Sequence, residues 1–162
     1  MDKAQWQRTW VRALTTGLTI AMMVVIFLFS MQDAERSDRT SGFFSDAIIH
    51  VLYPNYNDLP AEEQKVIMDQ VQFAVRKTAH FTEYMILGIL MRLCMESWFP
   101  EARANGMISF LGGTLYAASD ELHQRWIDGR SGQWQDVLLD SCGVLAGVLL
   151  GLVVIHLIRR RK

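Results

Sequence analysis

Residues 11–31 read VRALTTGLTIAMMVVIFLFSM, and residues 133–158 read QWQDVLLDSCGVLAGVLLGLVVIHLI. After Arg12, the polar side chains of the first segment are three threonines and Ser30. A helix needs roughly 20 mostly apolar residues to cross the hydrocarbon core of a bilayer. Both segments reach that length, so we predict a transmembrane helix in each. The second segment also carries Asp136 and Asp140, and carboxylates within membrane-length helices indicate a functional site.

Two further segments come close to the length of a span. They are residues 81–99 and the shorter residues 104–121. Together the four segments predict an all-α polytopic membrane protein with four transmembrane helices, in a single domain over residues 1–162. Within the second segment, Arg92 and Glu96 are predicted to form an i,i+4 ion pair that snorkels toward the cytoplasmic surface. The alternative to this membrane fold is a soluble helical bundle with two very apolar helices.

The distribution of charge predicts the orientation of these spans. Residues 1–12 carry three bases against one acid, and residues 159–162 are all basic. Basic residues beside spans favour the cytoplasmic side, so both termini are predicted to be cytoplasmic, which an even number of spans allows. Residues 32–75, with eight acids against three bases, then lie outside. We therefore expect a multi-pass protein of the cytoplasmic (inner) membrane.

Between the first two spans, the pattern predicts two helices that do not cross the membrane. Ser41 is predicted to cap a short interfacial helix whose apolar residues share one face. An amphipathic outer helix follows, with Asp58 as its predicted cap. This outer helix runs at Arg76 and Lys77 into the second span.

Small residues recur at intervals of four on the third and fourth predicted spans. They are Ser109, Gly113 and Ala117 on the third, and Gly143, Gly147 and Gly151 on the fourth. Small side chains let membrane helices approach closely. We therefore predict that both stripes are helix-packing surfaces, which need no ligand to explain them.

Ionisable residues gather at the predicted outer ends of the last three spans. Spacings of three and four residues place several of them on common helix faces. We predict that they form one outward-facing polar pocket. Its candidate ligand-binding residues are Arg76, Lys77, His80, Glu83, Asp120, Glu121, Gln124, Arg130, Asp136 and Asp140. The alternative is a purely structural role, in which paired charges only hold the helices together.

The sequence indicates no cofactor, metal or nucleic acid. Asp, Glu and His can ligate divalent cations, but their spacing here matches no standard motif such as H-E-x-x-H. Cys94 and Cys142 fall in separate predicted spans, and we expect both to be apolar packing residues. The basic C-terminal residues suit a membrane surface better than a nucleic acid.

The chain resembles the VanZ-like family of small bacterial membrane proteins over residues 29–147. The matching stretches are Phe29-x-Ser-x-Gln32 with the serines that follow, Arg76-Lys-x-Ala-His-Phe-x-Glu-Tyr84 with Leu87-Gly88, Ser119-Asp-Glu-x-x-Gln124, Gly129-Arg130, and Asp136-x-x-x-Asp140-x-x-Gly143-x-x-x-Gly147. One departure is Asp140, where asparagine is common in the family. The resemblance implies a polytopic bacterial membrane protein. The family's namesake is associated with low-level resistance to teicoplanin, a glycopeptide that binds cell-wall precursors.

The leading functional hypothesis is a non-enzymatic membrane protein that binds lipid. Its pocket would hold the head group of a cell-envelope lipid or a lipid-linked cell-wall precursor, and binding would affect glycopeptide susceptibility. Lys77 and Arg130, together with Arg76, would contact the phosphate. The acids would orient these bases or accept hydrogen bonds from sugar hydroxyls.

Two other classes of function remain open at the level of sequence. A membrane enzyme could act on an envelope lipid by acid–base chemistry, with His80, Glu83, Asp120 and Glu121 as its candidate catalytic residues. A small transporter is the third hypothesis, because acids within spans also mark proton relays.

Overall fold

The structure is a computed structural model that describes residues 3–32, 34–100, 102–127 and 132–160, without the side chains of residues 3–7 and 34–40. The elements are α1 (Lys3–Ser30), α2 (Ala34–Leu52), a 3-10 turn (Tyr56–Asp58), α3 (Ala61–Trp98), α4 (Asn105–Gln124) and α5 (Trp134–Arg160). These described residues contain helices and no strand, which confirms the predicted all-α class.

Helix α3 joins the predicted outer helix and the predicted second span into one helix of 38 residues. At 1.5 Å per residue its length is about 57 Å. No proline lies between Pro60 and Pro100, so nothing in this stretch removes a backbone hydrogen-bond donor from the helix. The predicted Asp58 cap is wrong, because Pro60 occupies the N-cap position of α3 and Asp58 ends the preceding 3-10 turn.

Helix α2 begins at Ala34, well before the predicted start at Ser41. Residues 34–40 are mostly polar but contain neither glycine nor proline, so no strong helix breaker separates them from the apolar part. The helix packs on α3. Its side chains Phe43, Val51 and Leu52 are exposed, a pattern typical of a helix that lies at a membrane surface.

Helices α1, α3, α4 and α5 form an up-and-down bundle in which α3 and α5 run parallel. At one end, Arg12 Nε donates a hydrogen bond to the Ser97 carbonyl oxygen (3.0 Å), and Arg159 forms an ion pair with Glu96. At the other end, the rings of Phe27 and His123 stack with centroids 5.1 Å apart. The start of α1 and the end of α5 therefore lie at the same end of the bundle.

The centre of the bundle is built on close contact between α3 and α5. Its buried apolar residues are Ile26, Tyr84, Leu87, Ala117, Val144 and Val148. Gly143, Gly147 and Gly151 of α5 lie against α3, and Gly113 of α4 faces Val144. Both predicted small-residue stripes are thus confirmed as contact surfaces.

The predicted snorkelling of Arg92 is wrong, although its ion pair with Glu96 is present. Arg92 is buried, and its Nη1 lies 2.8 Å from Glu96 Oε2. Glu96 also binds Arg159 from α5. The reason lies in Gly151, because a Cβ there would approach the Cβ and Cγ atoms of Arg92 to 3.0 Å. The missing side chain leaves room for Arg92 between the helices.

Two helices of the described chain are long and apolar enough to cross a membrane, Arg8–Ser30 and Trp134–Arg160. They match the first and fourth predicted spans. The most apolar window of the first is only 17% buried, whereas the core helix of a soluble protein would be mostly covered. The second and third predicted spans lie in α3 and α4, which length and composition alone do not identify as membrane helices.

Candidate functional site

Four carboxylates meet where the end of α4 lies beside the start of α5. We call Asp120, Glu121, Asp136 and Asp140 the acid cluster. Glu121 interacts electrostatically with Asp120 and Asp136, and Asp140 interacts with the other three. Asp120 is 4% exposed and Asp140 is 2% exposed. Burying carboxylates so thoroughly is unfavourable unless hydrogen bonds or opposite charges compensate, so the neighbours of this cluster decide what it can do.

Helix α3 brings two basic side chains to the acid cluster. Lys77 Nζ forms an ion pair with Asp136 Oδ1, and it also lies 5.2 Å from the centre of the Phe73 ring. One turn further along α3, His80 Nδ1 lies 3.9 Å from Asp140 Oδ1. The second contact is an ion pair only when the imidazole is protonated. Of these two basic side chains, Lys77 therefore carries the permanent positive charge beside the acid cluster.

Hydrogen bonds satisfy the acid cluster only in part. Gln124 Nε2 donates to Asp120 Oδ2 at 3.4 Å, and the Gln133 backbone donates to the Glu121 carboxylate. Among the described residues, Asp120 Oδ1 and Asp140 Oδ1 accept no hydrogen bond. Buried polar atoms of this kind usually have a partner, so these two carboxylate oxygens could each accept a further hydrogen bond.

A cavity of about 210 Å³ lies beside the acid cluster, between α1, α2 and α3. We call it the α1–α2–α3 cavity. The polar side chains that line it are Ser30, Gln32, Ser41, Arg76, His80 and Glu83, and its apolar lining includes Ile26, Phe29 and Phe44. His80 therefore belongs to both places: its ring lines the cavity, and its Nδ1 faces Asp140.

The structure divides the predicted polar pocket into these two adjoining places. Arg76 and Glu83 line the cavity, whereas Lys77 contacts the acid cluster. Neighbouring residues on a helix point about 100° apart, which explains why Arg76 and Lys77 face different partners. Gln124 lies with the acid cluster. Arg130 lies outside the described residues.

Sequence reasoning did not select Ser30, Gln32 and Ser41 as site residues, yet all three line the cavity. Their signal was present in the stretch Phe29-x-Ser-x-Gln32 and the serines that follow it. Because these side chains are neutral and lie in two different helices, no pattern of charge in the sequence groups them together. Only the approach of α1 and α2 to the same side of α3 brings them together.

The described side chains include no group of three or more His, Cys, Asp or Glu residues placed to hold a metal ion. The acid cluster is instead compensated by the positively charged side chain of Lys77, which pairs with Asp136. This end of the bundle therefore combines charged and hydrogen-bonding side chains with a cavity whose lining is both polar and apolar.

These features define a class: a helical membrane protein whose buried ionisable side chains gather at one end of its bundle. Within that class, the VanZ/LLP1 family model matches residues 15–156, and the chain belongs to this family. The predicted VanZ-like membership is confirmed. The family is linked to glycopeptide resistance. No curated protein and no solved structure matches the chain.

Proposed function

We propose that this membrane protein crosses the cytoplasmic membrane four times, through α1, α3, α4 and α5. Helix α4 has 20 residues and is about 30 Å long, which equals the thickness of the hydrocarbon core. Its residues Ile108, Leu111 and Leu115 are exposed. Apolar side chains exposed along a whole helix favour contact with lipid over contact with water.

The orientation of the bundle follows from its basic ends. Arg12 and Arg159 lie at the same end, where they contact Ser97 and Glu96. Placing this end in the cytoplasm satisfies the preference of basic residues for that side. The acid cluster and the α1–α2–α3 cavity then lie at the outer surface of the membrane, with both termini inside the cell.

At that outer surface, the protein binds the head group of a cell-envelope lipid or a lipid-linked cell-wall precursor. One observation carries this proposal: a cavity with apolar and polar walls adjoins a buried acid cluster, and His80 contacts both. A lipid can reach such a cavity laterally from the bilayer. Sequestering these lipids would change what a glycopeptide such as teicoplanin meets at the membrane surface.

The structure supports separate roles for the two neighbouring bases of α3. Arg76 lines the cavity, where a guanidinium can contact phosphate through paired hydrogen bonds. Lys77 binds Asp136 and so holds the acid cluster together. Arg130 remains a second candidate for the phosphate on the grounds of sequence.

Native mass spectrometry of the purified full chain tests this function. We expect the wild-type protein to retain envelope lipid after gentle removal of detergent. Arg76→Ala should lower the retained fraction about tenfold, because a hydrogen bond to a charged group contributes roughly 1.5–3 kcal/mol. Arg130→Ala should also lower it. Lys77 is not substituted in this experiment, because its ion pair with Asp136 is expected to stabilise the fold.

The matched control is Arg103→Ala. Arg103 is an exposed arginine at the opposite end of the bundle, and its replacement should leave lipid retention unchanged. Wild-type protein that emerges free of lipid would contradict the proposal. Equal retention by Arg76→Ala, Arg130→Ala and wild type would show that the phosphate roles are wrong.

A second candidate function is an enzyme that acts on an envelope lipid by acid–base chemistry. The closeness of His80 Nδ1 to Asp140 Oδ1 (3.9 Å) favours it, because a small movement would let the carboxylate accept a hydrogen bond from a histidine beside a cavity, a common arrangement for a general base. Envelope lipids incubated with wild type, His80→Ala and Asp120→Asn separate the candidates. Lipid-binding function predicts unchanged lipid in all three, whereas an enzyme predicts a product that the variants form more slowly.

A further inference from the structure

The size of the α1–α2–α3 cavity limits what it can hold. Its volume of about 210 Å³ corresponds to about seven water molecules at roughly 30 Å³ each. A glycerol phosphate group is of this size. The sugar-peptide head group of a wall precursor is several times larger and would lie mostly outside. A small head group therefore fits within the cavity.

Polar side chains line the cavity at successive depths along α3. Arg76 lies nearest the start of the helix, His80 follows, and Glu83 lies about 10 Å beyond Arg76 along the axis. Arginine donates hydrogen bonds and suits a phosphate. A carboxylate accepts them, so Glu83 suits a hydroxyl group of the ligand. Phosphate toward the surface and a hydroxyl below it is the order found in a glycerophospholipid.

Ser30 supplies an independent observation on the opposite wall of the cavity. The residue is 2% exposed, and its Oγ has no hydrogen-bond partner among the described residues. A buried hydroxyl normally has a partner. The Oγ atom is covered by neighbouring atoms, so an oxygen of a ligand phosphate or glycerol would reach it only after a small shift of the side chains around Ser30.

The cavity also has a route to the bilayer. Helices α1 and α2 both pack on α3 but contact each other little. Phe29 and Phe44 line the cavity from α1 and α2, and the two residues are 45% and 57% exposed. An acyl chain that leaves the cavity on this side would contact both rings.

We propose that the α1–α2–α3 cavity binds a single-chain phospholipid with a free glycerol hydroxyl, a lysophospholipid. The phosphate contacts Arg76, the hydroxyl donates to Glu83, and the acyl chain leaves between Phe29 and Phe44. This inference rests on the proposed lipid-binding function and narrows its ligand. A two-chain phospholipid carries an ester in place of the hydroxyl and offers Glu83 no donor.

Three probe lipids of equal chain length separate the contributions. They are 1-acyl-glycerol 3-phosphate, the matching diacyl phosphate lipid, and an n-alkyl phosphate that has one chain and no hydroxyl. The purified full chain is mixed with equal amounts of the three, and native mass spectrometry measures which is retained. We expect about a tenfold preference for the hydroxylated single-chain lipid, the ratio that corresponds to one hydrogen bond with a charged group.

Variants then assign the preference to the cavity. Glu83→Met keeps a side chain of similar length without the acceptor, and should reduce the preference over the alkyl phosphate to about one. Ser30→Ala should weaken retention of all three lipids, and it keeps the proposal testable if Glu83→Met does not fold. The control is Asp69→Asn, an exposed acid on the same helix, which should keep the wild-type preference.

The outcomes separate this inference from the function on which it rests. Equal retention of the three probes by wild type, or an unchanged preference in Glu83→Met, would overturn the lysophospholipid assignment. Envelope lipid retained in the first experiment would still support lipid binding in either case. A wild-type protein that retains neither envelope lipid nor any probe would overturn both.

Discussion

Gly147→Ala is expected to lower the free energy of unfolding by about 3 kcal/mol, the upper end of the usual cost of overpacking. A Cβ at position 147 would overlap the backbone oxygen of Met85 and would lie 2.9 Å from the backbone nitrogen of Ile89. Both obstacles are backbone atoms, so no rotamer change can relieve the overlap. Helices α3 and α5 would have to separate. Titration with SDS, followed by tryptophan fluorescence in mixed micelles, measures the change.

The control for this prediction is Gly17→Ala. Gly17 lies within α1, and a Cβ there would meet no atom within 4 Å. Alanine favours a helix over glycine by about 1 kcal/mol, so this variant should be as stable as wild type or slightly more stable. If Gly147→Ala resembled Gly17→Ala, the close contact between α3 and α5 would be wrong.

Lys77→Met is expected to lower the free energy of unfolding by about 2 kcal/mol. Lys77 pairs with Asp136 and also interacts favourably with Asp140. Its removal leaves the acid cluster without this charge. Removing one partner of a fully buried ion pair costs roughly 3–5 kcal/mol. The side chains here are 28% and 23% exposed, so solvent reduces the effect. The same SDS titration measures it.

A second substitution identifies electrostatics as the cause. Lys77→Met combined with Asp136→Asn removes both charges of the pair and should recover most of the lost stability, giving non-additive energies in a double-mutant cycle. Lys65→Met, at an exposed position of the same helix, should have little effect. Additive losses in the double variant would show that Lys77 acts through its aliphatic contacts, such as the one with Phe73.

The sequence predicted the main helices because length and apolar content are local properties. The segments 11–31 and 133–158 correspond to α1 and α5. The glycine stripe of α5 could also be interpreted from the sequence. Small side chains at intervals of four lie on one face of a helix, which predicts a packing surface there. Helix ends were harder: the start of α2 moved to Ala34, because a polar stretch without a helix breaker can extend a helix in either direction.

The sequence predicted that the candidate site residues would gather at one end of the bundle, but it did not predict their arrangement there. Charged side chains are easy to recognise within an apolar stretch of sequence. Asp120, Asp136 and Asp140 lie close together in the structure, as predicted. Arg76 and Glu83 are separated from these acids because different faces of α3 pack against different helices, which the sequence does not specify. The same applies to Arg92, whose burial follows from a glycine on another helix.

By itself, then, the amino-acid sequence determined the helical class, the two most apolar helices and the presence of acids near the end of α4 and the start of α5. Those properties depend on hydrophobicity and periodicity along a single helix. Only the tertiary structure separated the acid cluster from the α1–α2–α3 cavity and brought Ser30, Ser41 and Glu83 to the same space. Residues far apart in the chain become neighbours through helix contacts, and the closeness of those contacts depends on the shapes of both surfaces.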